Sequence, residues 1–171
     1  MSVVVVALLV LVAALFAGSR RQKPAPWPTH PLDDVEVCWP ESSNTERLSS
    51  PDGVLAFVAQ TKANDWHSGS GTLSLWRDGC SLIVSKNKDR GYMVSFLAAG
   101  ASTPGEVVVK STDFSEVSWV LTAGEKWAVP AAFLVDPETV GQAVAHFFVA
   151  GEKLKTLRWV DAASAMSTAG L

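Results

Sequence analysis

The sequence is poor in the residues that chemistry most often needs. Its 171 residues include two cysteines and three histidines. Cys38 and Cys80 have neither the C-x-x-C spacing of a redox pair nor the clustered spacing of a metal site. They are expected as reduced, partly buried thiols in a reducing compartment, or as a pair in an oxidising one. His30 lies in a proline-rich stretch, His67 in a glycine–serine loop and His146 on the polar side of an amphipathic segment. No second residue is placed to orient any of them as catalysis requires. Ser68-Gly69-Ser70-Gly71 lacks the Lys-Ser/Thr ending and the following helix of a phosphate-binding loop, and reads as a turn. The paired acids Asp33-Asp34 sit in a linker-like region and read as solvated. These gaps argue against an enzyme and leave no residue set that calls for a metal or another cofactor.

Acidic residues are missing altogether before Pro24, while Arg20, Arg21 and Lys23 follow an uninterrupted apolar run, Val3 to Gly18. At about 1.5 Å per residue this run reaches about 24 Å, short of a hydrocarbon core of roughly 30 Å but able to span with local thinning and snorkelling arginines. A secretory signal would begin with a charged region, and only the amino terminus precedes this run. The run therefore predicts an uncleaved hydrophobic helix, with the cations behind it placing the remainder in the cytoplasm. The expected location is the membrane, single-pass, with the C-terminal domain cytoplasmic. Without those three cations the rest of the chain holds 11 basic against 17 acidic residues, a net charge of −6. That balance disfavours nucleic acid as a direct partner and suits a basic protein.

Most of what is present reads as one domain. The spans expected are 1–19 as anchor or signal and 20–50 as a basic, proline-rich linker with an irregular lead-in. A folded domain over 51–161 and a disordered tail over 162–171 complete the division. Within the domain, Asp136 is a good N-cap, Pro137 suits the first helical position and Gly151 suits a left-handed C-terminal stop. Between them Val140, Ala143, Val144, Phe147 and Phe148 recur at helical spacing along one face. Earlier in the chain, short apolar runs are separated by turn signals. Val54 to Ala59 reads as a strand. Thr72 to Arg77 and Ser81 to Ser85 read as a hairpin about Asp78-Gly79. Tyr92 to Ala98, Val107 to Val109 and Val117 to Leu121 follow as further strands. The expected fold class is α+β, an antiparallel β-meander covered by one long C-terminal helix, with the hydrophobic N-terminal helix in addition.

Tryptophan is the residue in excess, seven in the chain. Trp76, Trp119 and Trp159 fall on strands and read as core anchors. Trp66 and Trp127 fall at loop-like positions near Asp65, Glu116 and Glu125, and large aromatics rimmed by acids suit a protein-binding face. Those five residues, Asp65, Trp66, Glu116, Glu125 and Trp127, are the candidate partner-binding set.

The C-terminal half also resembles a known family. Gly91-Tyr92, the aliphatic-Pro step Val129-Pro130, the stretch A-V-A-H-F-F-V-A-G at Ala143 to Gly151 and L-R-W-V at Leu157 to Val160 resemble immunity protein family 1 of bacterial polymorphic toxin systems. The likeness covers roughly Leu73 to Val160. It departs from the family pattern in lacking a proline shortly after Gly151 and in carrying the hydrophobic leader. What the resemblance implies is a non-enzymatic protein that binds and neutralises a cognate toxin effector by covering its active face. The alternative reading is a membrane-anchored sensor or scaffold domain that binds a small ligand or peptide.

Overall fold

The computed structural model describes residues 34–42, 44–60, 66, 69–101 and 105–171. The run Val3 to Gly18, the cations and prolines behind it, Asp65 and His67 lie outside the described residues. Among those described, no helix is long and apolar enough to cross a membrane.

Two short strands come first, β1 (Val35–Cys38), where Val35 to Trp39 alternates as a strand does, and β2 (Thr45–Leu48), in the polar stretch Glu41 to Ser50 that reads as loop. Helix α1 (Asp52–Gln60) then occupies the apolar run that reads as a strand. Its buried residues are Val54 and Val58, four apart, while Ala56 between them is exposed. A six-residue apolar run fits either period, and here the start signal decides: the Ser50 hydroxyl accepts from the Asp52 amide at 3.3 Å just ahead of the helix. Strands β3 (Thr72–Arg77) and β4 (Cys80–Asn87) form a hairpin whose turn residues Asp78 and Gly79 both have positive φ, 51° and 78°. They are followed by β5 (Gly91–Leu97) and the short β6 (Glu106–Val108). A second hairpin joins β7 (Val117–Thr122) to β8 (Glu125–Pro130). A single 3-10 turn (Ala131–Phe133) and β9 (Leu134–Val135) lead into helix α2 (Pro137–Ala150). The chain closes with β10 (Trp159–Asp161) and helix α3 (Ala162–Thr168).

This architecture corrects the expected one. The strands do not run as a meander under one long helix. They form an eight-stranded sheet ordered β10-β6-β5-β4-β3-β1-β2, with β9 paired to β5, and a separate two-stranded sheet of β7 and β8. Among the described elements three short helices accompany them, and an N-terminal hydrophobic helix is not one of these. Every strand pair is antiparallel. The order escapes a sequential reading because β1 and β2 attach beyond β3. The C-terminal β10 returns to pair with β6, placing Trp159 opposite Val108.

The large sheet has one helix-covered face. There Leu73, Leu75, Leu82, Val84, Tyr92, Val94 and Phe96 meet Val54 and Val58 of α1 and Val140, Val144, Phe147 and Phe148 of α2. Helix α2 is held at both ends. The Asp136 carboxylate accepts from the Thr139 amide at 2.8 Å, and Gly151, at φ 67°, returns its amide to the Phe147 carbonyl. The Arg77 guanidinium donates to the Phe148 carbonyl, setting a cation at the negative end of the helix dipole.

The other face carries a second core of Val107, Val109, Val120, Val129, Phe133, Leu134, Ala162 and Ala165. Helix α3 belongs to it, so the tail expected as disordered is instead ordered. The Asp161 carboxylate caps α3 by accepting from the Ser164 amide at 2.7 Å. Ala162 and Ala165, three residues apart, offer a face small enough to lie close on that core. The compact unit runs from Asp33 to Leu171, so it begins well before residue 51 and ends well after residue 161.

Candidate functional site

The five candidate residues divide across the molecule. Glu116, Glu125 and Trp127 gather on or beside the β7–β8 hairpin, whereas Trp66 lies on the helix-covered side of the large sheet. Asp65 is outside the described residues. Trp66 is 0% exposed, which removes it from any binding surface. It stands in an aromatic row, its ring centroid 5.1 Å from that of Phe57 and 5.5 Å from that of Tyr92, with Phe57 in turn 5.0 Å from Trp39. The Lys86 ammonium lies 4.0 Å from the Tyr92 ring centroid and 5.9 Å from that of Trp66. Tyr92 donates its hydroxyl proton to the Val58 carbonyl at 2.9 Å, tying this row to α1. A tryptophan in a loop-like sequence thus acts as a core anchor, because the row needs a large ring between Phe57 and Tyr92.

The hairpin has two faces, fixed by its register. Ser118 opposes Val129, Val120 opposes Trp127 and Thr122 opposes Glu125 on one face; Val117 opposes Pro130, Trp119 opposes Ala128 and Leu121 opposes Lys126 on the other. The first face lies against the large sheet. Thr122 Oγ1 is 3.0 Å from Ser85 Oγ, and Asn87 Nδ2 donates to Ser118 Oγ at 3.3 Å and to the Trp119 carbonyl. Val120 and Val129 are buried there, and Trp127 is half-buried against the second core. The outward face leaves Trp119 56% and Val117 41% exposed, while Leu121, the last residue of that row, packs over Gly71. Trp119, read from the sequence as a core anchor, is therefore the prominent exposed aromatic of this hairpin.

Charged residues lie at both ends of this hairpin. Glu116, at the start of β7, is ion-paired with Arg90 from the β4–β5 turn. Glu125 is exposed at the hairpin tip, and Lys126 beside it is exposed as well. Just upstream, the hydroxyl and then the amide of Ser115 hold the Asp113 carboxyl below the usual carboxylate range. The hairpin thus exposes Trp119 and Val117 on one face and carries exposed charges at its tip and just before β7. Among the described residues no group of three or more His, Cys, Asp or Glu side chains is arranged to hold a metal ion. Cys38 and Cys80 are both free thiols. No protein-family model and no curated protein compared with this sequence matches it.

Proposed function

We propose that this chain is an immunity protein that binds and neutralises a cognate bacterial toxin by covering its active face. The outward face of the β7–β8 hairpin, together with its exposed tip, makes the contact. The observation that carries the reading is the exposure of Trp119 together with Val117 on one face of a hairpin packed on a rigid sheet. A tryptophan is costly to leave in water and is a frequent energetic anchor when a partner desolvates it. The acidic balance of the body, −6 beyond Lys23, suits a partner with a basic cleft, and Glu125 on the hairpin tip gives that charge a place at the contact. Held at the membrane by the apolar run Val3 to Gly18, with the domain on the cytoplasmic side, the protein would meet a toxin that has entered the cell.

The test is a toxin-protection assay using the product of a neighbouring gene, with thermal melts run in parallel. Trp119→Ala should weaken binding by about 30-fold through faster dissociation, the loss typical of an interface anchor. Glu125→Lys should slow association and reduce its salt dependence. Both variants should melt with the native protein. Full protection by a folded Trp119→Ala, Glu125→Lys double variant would rule out this face.

A further inference from the structure

The β7–β8 hairpin is fastened unevenly. Its base is tied into the fold by backbone and by core. The Ala131 amide closes the hairpin's own base on the Glu116 carbonyl at 2.7 Å, the Lys110 amide ties the chain just beyond β8 to the segment after β6 through the Ala132 carbonyl at 3.0 Å, and Val120 and Val129 are buried in the second core. The tip is fastened mainly by single polar bonds to the ends of β3 and β4. Thr122 meets Ser85, the Ala123 amide donates to Thr72 Oγ1 at 3.2 Å, and the Gly124 amide donates to the Ser70 carbonyl at 2.9 Å. The apolar contribution at the tip is Leu121, which leaves no room for a Cβ at Gly71. No ladder bonds join the hairpin to the large sheet, because β7 and β8 pair with each other as a sheet of their own. Ala123 adds a further load, holding φ at 51° in a turn where a side chain is disfavoured.

Each of those polar bonds replaces a bond to water and so contributes little net, whereas the buried valines at the base can leave only by opening the second core. We propose that the hairpin tip, residues 121–126, opens from the sheet as a unit while the base and the two cores stay closed. Opening rehydrates Ser70, Thr72 and Ser85 and keeps the β7–β8 ladder intact. On the reading of the hairpin as a partner-binding element, a partner that grips Trp119 and Glu125 selects the docked tip and holds it shut, as any ligand does with the state it prefers.

Native-state hydrogen exchange on the full chain without partner tests this directly, and its outcome is independent of whether a toxin binds. The Ala123 and Gly124 amides report docking, since they donate to Thr72 at the start of β3 and to Ser70 in the turn before it. Amides in the middle of β4 and β5, such as those of Val84 and Val94, report the closed core. Ala123 and Gly124 should exchange at least 100-fold faster than Val84 and Val94. Removing the Thr122 hydroxyl in Thr122→Val should speed Gly124 about fivefold further and leave Val84 and Val94 unchanged. Exchange of all four amides at one rate in the native chain overturns the proposal. So does equal acceleration of all four in Thr122→Val.

Discussion

On one side of the large sheet Leu82, Val84 and Val94 meet Phe147 and Val144; on the other, Ser85 and Asn87 meet Thr122 and Ser118. The same strands supply both sets, since β4 alternates between them residue by residue. Apolar area on the helix side gives a stabilisation that grows with every methylene buried. Hydroxyls on the hairpin side give orientation and few kilocalories, because each was well hydrated before it was buried. A sheet covered in this way has a strong face that sets the fold and a weaker one on which an element can be repositioned. Partner recognition belongs on the second, where movement costs least.

The contrast can be broken most severely from the helix side. Phe147 is 0% exposed and packs edge-on to Phe96 with centroids 6.4 Å apart, so Phe147→Ala should destabilise the protein by about 3–5 kcal/mol in a chemical melt. A loss below about 1 kcal/mol would mean that the helix side is no stronger than the hairpin side. A smaller effect is expected at the start of α2. The Thr139 amide holds the Asp136 carboxyl below the usual carboxylate range in the folded chain. Its stabilising contribution is therefore fully present above the unfolded-chain value and is lost as pH falls through the lower folded value. Asp136→Ala should cost about 1 kcal/mol at neutral pH. The difference in Tm between variant and native protein should close on acidification below about pH 4. A difference that stays constant down to pH 2 would assign the effect to something other than the charged cap.

The smallest expected change has the opposite sign and lies on the hairpin side. Two tight turns in this fold have positive φ at both central residues, Asp78-Gly79 and Ala123-Gly124. Aspartate tolerates that conformation better than alanine does, so Ala123→Gly should stabilise by about 0.5–1 kcal/mol. The gain should appear in the melting temperature. An unchanged or lowered value would show that the alanine methyl is not strained in place.

The two hairpins also show what could be read from the chain and what could not. Asp-Gly announces the β3–β4 turn because its conformational need is written in its residue types. The ends of α2 are legible for the same reason: Asp136, Pro137 and Gly151 satisfy unpaired groups locally. Strand order is not local, and nothing within β1 or β10 states which neighbour it will join. The β7–β8 surface was illegible for a sharper reason. In V-S-W-V-L-T the alternation suggests that Val117, Trp119 and Leu121 face inward and Ser118 and Thr122 outward. The structure turns Ser118 and Thr122 in, because the surface beneath them offers Ser85 and Asn87, and leaves Trp119 outside. Hydrophobic alternation misplaces the buried side where the layer below is mixed, as here, where Val120 enters the second core between two residues that meet polar partners. Trp66 fails in the converse way, since its aromatic row with Phe57 and Tyr92 joins segments far apart in sequence.

The sheet's outer limits bear on how copies of the protein behave together. Among the described residues it ends on β2 at one side and β10 at the other, strands of only four and three residues. An edge strand invites a second copy to add to it, and two copies related by a two-fold axis would pair β2 with β2 in antiparallel fashion. Residues opposed in such a pair must point to the same side, so the axis passes through a single position of the strand. Centred at Glu46 it sets carboxylate against carboxylate; centred at Arg47 it sets guanidinium against guanidinium. Both of the registers with the greatest overlap carry that repulsion, so edge-to-edge growth through β2 is opposed by the two residues at the middle of a four-residue strand.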